Sequence, residues 1–131
     1  MLERYVGNWR YTRDRYDLKN ERWCEAIREE RTYSEIERVQ QNQVWRMKQN
    51  QQTDWIFVAK GANGFKVKKG YEEGYGEYDA NANKINFYWP DKGVKERWYF
   101  PSNQVCFSWS SREVNARMVL ISFLWGYKKK A

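Results

Sequence analysis

Turn residues recur through the second half of this chain at intervals that suit short strands. Gly61-Ala62-Asn63-Gly64, Asn81-Ala82-Asn83 and Asp91-Lys92-Gly93 each fall between a pair of aromatic-rich runs, the pattern of consecutive hairpins. The runs in this half cover residues 53–60, 65–69, 74–79, 84–89, 94–100, 105–110 and 116–127, and upstream residues 8–16, 32–39 and 43–48 read the same way. About ten short strands at this spacing make an antiparallel barrel or sandwich. With 131 residues and no linker or repeat, residues 1–131 form one all-β domain.

The opening of the first strand narrows the choice. Gly7 lets the chain turn sharply, and Trp9, two residues on, suits the plug of a barrel's closed end. Residues 1–6 are expected to form a short helical lid over one end. Residues 17–30 read two ways: a short helix capped by Asn20 with Trp23, Ala26 and Ile27 on one side, or an extension of the first hairpin. The helix is the preferred reading.

Strand alternation then assigns faces. Trp9, Tyr11 and Arg13 share one, so an inward Trp9 carries a guanidinium inside, where it needs an anion. In the run 94–100, Glu96 shares a face with Val94, Trp98 and Phe100. It is either a carboxylate that hydrogen-bonds or protonates a ligand, an edge residue, or the partner of an arginine such as Arg13 in an inert bridge. Trp45, Trp55, Phe87, Trp89 and Phe107 are further candidates for an aromatic lining, which favours a flat conjugated ligand over an aliphatic one. Lys66 and Lys68 take the wet face of their strand, opposite Phe65 and Val67. The run Lys128-Lys129-Lys130 reads as a solvated tail.

Composition removes several classes of chemistry. With no histidine the chain lacks the commonest metal ligand and the usual base of a Ser or Cys nucleophile, so no metal site is expected. Cys24 and Cys106 read as reduced thiols, and Cys106 as outward or packed and not catalytic. No apolar run is long enough to span a membrane, and no secretory leader is expected. A net charge of +7 calls for anionic company.

Three blocks carry a resemblance. Gly7-x-Trp9-Arg10-x-x-Arg13-x-x-x-x-Leu18, Ser34-Glu35-Ile36 and Glu96-Arg97-Trp98-Tyr99-Phe100-x-x-Asn103 are similar to the S-type phycobiliprotein chromophore lyases of cyanobacteria and cryptophytes, in that family's order. Tyr11 stands where the family has Ser, Tyr99 where it has Trp, and Asn103 comes one position early. The resemblance implies a lipocalin-like barrel that binds phycobilin (phycoerythrobilin or phycocyanobilin) without covalent attachment and assists its transfer to a cysteine of a phycobiliprotein subunit. It assigns Arg13 to a propionate and Glu96 to the pyrrole nitrogens, as the catalytic pair. It further implies a monomer or homodimer in cyanobacterial or phage-infected cytoplasm, or in plastid stroma, with no nucleic acid or membrane as partner. The alternative is a non-enzymatic carrier of fatty acid or another hydrophobic carboxylate. Such carriers hold an Arg-x-Tyr pair in the last strand, where this chain has only Arg117. Nucleic-acid binding rests on charge and aromatics alone.

Overall fold

The computed structural model describes residues 2–39, 41 and 43–129. Met1 of the expected lid and Lys130 of the basic run lie outside the described residues. A 3-10 helix, Leu2–Tyr5, leads into β1 (Gly7–Asp17) and a two-residue strand β2 (Arg22–Trp23). Then come β3 (Ile27–Val39), β4 (Val44–Gln49), β5 (Thr53–Lys60), β6 (Gly64–Lys69) and β7 (Glu72–Asp79). The last four are β8 (Lys84–Trp89), β9 (Val94–Ser102), β10 (Val105–Val114) and β11 (Arg117–Lys128). From β3 to β11 each strand pairs antiparallel with the next; β3 also pairs with β1, and β11 returns to β1. The result is a closed ten-stranded up-and-down barrel of lipocalin type, with β2 a short flap beside the end of β1. Closure leaves none of the ten strands with an unpaired edge.

One end is sealed around Tyr5 and Trp9. Gly7 has φ +135°, a conformation that side chains avoid, and a Cβ there would lie 3.0 Å from Cδ of Lys128. The turn it allows sends Tyr5 and Trp9 into the core, at 3% and 0% exposure. Trp9 Nε1 donates to the Tyr5 carbonyl (2.9 Å), and its ring stacks on Tyr11 and meets the edge of Phe100. Losing Trp9 to alanine would cost about 3–5 kcal/mol, the usual toll for a large buried ring. Lys128 is no solvated tail: its ammonium lies 5.2 Å from the Trp9 ring, and the Lys129 amide donates to Asn8.

Residues 17–30 contain no helix. The Asp17 carboxylate accepts from the Lys19 and Asn20 amides and from Asn20 Nδ2, an Asx turn. Glu21 follows at φ +53°, reversing the chain before Trp23 packs on Tyr16. Asn20 therefore serves a turn and caps nothing. Beyond it the pattern has period two: Glu29, Arg31 and Tyr33 alternate with Arg28, Glu30 and Thr32, as β3 requires for pairing with β1. The hairpin extension is the correct reading. The first strand is thus longer than expected, and β3 starts five residues earlier.

Candidate functional site

Each inward stripe changes character along the barrel. On β1 it runs Trp9, Tyr11, Arg13; on β9, read back toward its start, it runs Phe100, Trp98, Glu96, Val94. On β10 it runs Cys106, Ser108, Ser110, and on β11 Gly126, Leu124, Ser122. Antiparallel pairing brings the aromatic ends together at the sealed end and the polar ends together at the mouth. Gly126 belongs to this fit, because a Cβ there would sit 2.4 Å from the Tyr11 ring.

Between floor and mouth lies a cavity of about 440 Å³. Trp55, Phe87, Trp89 and Trp98 form its aromatic wall, with Tyr5 and Tyr33 at the base. Around and above them stand Arg13, Arg15, Arg31, Lys69, Lys92 and Arg112, against two carboxylates, Glu72 and Glu96, among the described lining residues. Lys92 is engaged by Glu72 at 2.6 Å. The remaining cations make the chamber electropositive, suited to a ligand with an apolar body and acidic ends.

Arg13 faces inward, but its partner is Glu29, not Glu96. Arg13 Nη2 donates to Glu29 Oε1 at 3.3 Å, and Arg31 grips both oxygens of the same carboxylate at 3.0 and 3.1 Å. Arg31 also donates to Tyr33 Oη (3.1 Å) and lies 5.1 Å from the centre of the Tyr11 ring. Burial pushes the Glu29 carboxyl up, but Arg31 and then Arg13 outweigh it and hold the group below its usual range. Glu29 thus fixes two guanidinium groups side by side at the cavity wall.

Glu96, in register with Arg15 through Ser110 and Ser122, is half-buried and accepts from Trp98 Nε1 at 3.0 Å. Among the described residues it forms no ion pair with Arg13, so the inert bridge between them is not made. Two polar groups near it have no hydrogen-bond or ion-pair partner among the described residues. The Tyr5 hydroxyl at the base has no hydrogen bond, and burial, then Glu96, drives its pKa well up. The Lys69 ammonium lies 5.1 Å from the Trp55 ring centre, and burial, then Arg31, hold it below its usual value. The chamber lining thus includes a carboxylate, Glu96, and a cation, Lys69, that among the described residues stands outside any ion pair.

The other expected site residues divide. Trp55, Phe87, Trp89 and Trp98 line the cavity with Arg13 and Glu96. Trp9 lies beneath the floor, and Trp45 packs behind Phe57 with Nε1 donating to Glu35. Phe107 is a correction: it is 49% exposed on the outer face, while its neighbour Cys106 is fully buried inside. Burial pushes the Cys106 thiol up to about 12, so it is no nucleophile near neutrality. Arg31, Lys69 and Tyr5 were missed by the sequence reading. Continuing the Trp9, Tyr11, Arg13 alternation by two residues would have found Arg15.

Among the described residues no cluster of His, Cys, Asp or Glu is placed to hold a metal, and no helix is long and apolar enough to cross a membrane. Fold and cavity together define a lipocalin-like barrel with an aromatic-walled, electropositive interior. The S-type phycobiliprotein lyase CPES from Guillardia theta shares this fold, with a TM-score of 0.72 over 98% of this chain and 90% of that one, at 12% identity. Neither a protein-family model nor a curated protein matches the sequence.

Proposed function

We propose that the barrel binds an open-chain tetrapyrrole and presents it for attachment to a cysteine of a phycobiliprotein subunit. The observation that carries this is the cavity: an aromatic wall, guanidinium groups around it and the Glu96 carboxylate, inside a fold shared with an S-type lyase. Each feature answers one portion of the ligand. Propionates call for guanidinium groups, conjugated rings for Trp and Phe faces, and pyrrole N–H groups for a carboxylate. Two of the three sequence blocks support the same reading: Gly7 and Trp9 seal the end beneath the cavity, and Arg13 and Glu96 face it.

The reaction adds the acceptor's S–H across the ethylidene double bond of ring A. A C–S bond forms at the ethylidene carbon and the proton ends on the neighbouring ring carbon, with no leaving group and no oxidant. The lyase therefore needs no nucleophile of its own. Its residues hold: Arg13 would anchor a propionate, Glu96 would accept from the pyrrole nitrogens, and the near-parallel Phe87 and Trp89 rings would fix the plane. Restricting the pigment to one conformer exposes one carbon to attack.

Titration with phycoerythrobilin or phycocyanobilin against a long-chain fatty acid tests this. The expected result is a coloured complex with quenched emission from Trp55, Trp89 and Trp98, which line the cavity. The rim cations would also accept a fatty carboxylate, and tighter binding of the fatty acid would replace the lyase reading with a carrier.

A further inference from the structure

β6 presents its lysines to two different surroundings. Lys66 and Lys68 are exposed on the outer face. Lys69, the last residue of the strand, follows Phe65 and Val67 onto the inner face and lines the cavity. A lysine carried inside usually meets a carboxylate. Here the register partner on β7, Glu72, is taken by Lys92 at 2.6 Å, and among the described residues Lys69 has no ion pair. Its register partner on β5, Trp55, offers a ring centre 5.1 Å from Nζ.

The charged groups that act on Lys69 come from four elements: Arg31 on β3, Glu96 on β9, Glu72 on β7 and Lys92 in the turn before β9. Burial and then Arg31 lower its pKa by more than Glu96 and Glu72 raise it. Desolvation and a neighbouring cation are the two conditions that make a lysine a neutral amine nucleophile. Nothing in the proposed lyase reaction uses an amine.

We propose that Lys69 captures a flat conjugated aldehyde bearing an acidic group, as a reversible imine inside the barrel. The cavity has a place for each part of such a molecule. Phe87 and Trp89, within 10° of parallel, suit the planar body. Arg15 and Arg112, which form no ion pair among the described residues, suit the acidic group, and Nε of Arg15 is buried without a hydrogen-bond partner. The Lys69 lone pair attacks the carbonyl carbon and a C–N bond forms. Both hydrogens of the amine then leave with the carbonyl oxygen as water, giving C=N. A protonated imine finds its counter-charge in Glu96 and Glu72. No oxidant or reductant takes part, and hydrolysis releases the aldehyde. A saturated aldehyde would leave the rings unused, and a neutral one the guanidinium groups. The inference needs only the cavity and not the tetrapyrrole reading, although a bilin would compete for the same space.

The test uses pyridoxal phosphate, an aryl aldehyde with an anionic end, and cinnamaldehyde as its neutral counterpart. The full chain is mixed with stoichiometric probe near neutral pH without bilin, the imine is trapped with borohydride, and peptide mass mapping locates the adduct. Lys69 should react with pyridoxal phosphate roughly tenfold or more faster than Lys66 and Lys68 on the same strand. Unfolding in denaturant should erase that preference, and cinnamaldehyde should label Lys69 more slowly. Lys69→Arg keeps a cation over Trp55, so it should retain the melting temperature and circular dichroism but lose the cavity adduct and its imine absorption. Labelling of Lys69 no faster than Lys66 and Lys68, or a preference that survives unfolding, overturns the proposal. So does imine absorption that persists in folded Lys69→Arg. Equal labelling by the two aldehydes overturns the assignment of an acidic end. Failure of bilin to bind would leave all of these results as they stand.

Discussion

Arg13 and Glu96 were legible from alternation alone, because each shares a strand face with residues that are inevitably core. What alternation could not supply was the partner. Arg13 has a carboxylate already, Glu29, reached from β3. Under the proposed function a propionate at Arg13 would share this cluster, with Arg31 able to keep Glu29 satisfied. Arg13→Ala should weaken bilin binding by about 1–3 kcal/mol, the worth of a charge-assisted contact, without collapse of the fold. Arg13→Lys should recover some of it, as a point charge replaces a fork. Unchanged affinity in a folded alanine variant would show Arg13 to serve only Glu29. For Glu96 the separating measurement is spectral. Its hydrogen bond from Trp98 is one that a glutamine can also accept, so Glu96→Gln should leave the melting temperature nearly unchanged. The bound pigment should lose some of its red-shifted, protonated absorption, and attachment should slow more than binding weakens. A normal spectrum with a large fall in stability would end the catalytic reading.

Among the strands, β3 and β10 hide opposite lessons. The stretch before Thr32 hid its period behind Trp23, Ala26 and Ile27, which mimic a helix face. The Asx turn at Asp17 breaks that helix, and with it appears the stripe Glu29, Arg31, Tyr33 that shapes the site. β10 misleads because its rings face out while Cys106, Ser108 and Ser110 face in. In a barrel that holds a polar ligand the inner face can be more polar than the outer, so apolarity alone does not fix the pleat phase. The Glu29 cluster on β3 carries its own forecast. Its folded pKa is held below the ordinary glutamate value of 4.5. Stability from Glu29 is therefore fully present above the unfolded value and is lost as pH falls through the folded one. Glu29→Gln should flatten the acid limb of the stability curve. The same change releases Arg13 and Arg31, so it should lower the melting temperature while tightening binding of a dicarboxylate ligand. Loss of both stability and affinity would mean that Glu29 positions the arginines for the ligand and does not compete with it.

The whole barrel was readable because hairpin punctuation and alternation agree along most of its length, and the meander needs no crossover beyond the small flap between β1 and β3. Closure itself, β11 against β1, is a pairing about 110 residues apart in sequence and carries no local signal. Cys106 reports on it. Its register partner on β11 is Gly126, which lies opposite Tyr11 of β1, so the thiol is sealed behind the closing seam. Cys24 is only partly buried. A thiol reagent should therefore label Cys24 of the native protein promptly and Cys106 only as the barrel opens, with burial holding that thiol protonated near neutrality. If labelling requires the cavity to come apart, a bound bilin must slow it by the factor 1 + [L]/Kd, since ligand binds the closed form alone. The slowing should reach about tenfold when free bilin is some nine times its Kd. Cys24 in the same sample, outside the barrel wall's opening, should keep its rate. Equal protection of both thiols would point to a general shielding of the surface by pigment. A Cys106 rate indifferent to bilin would mean that the seam opens locally without disturbing the cavity, and that the bound ligand is held by the other strands.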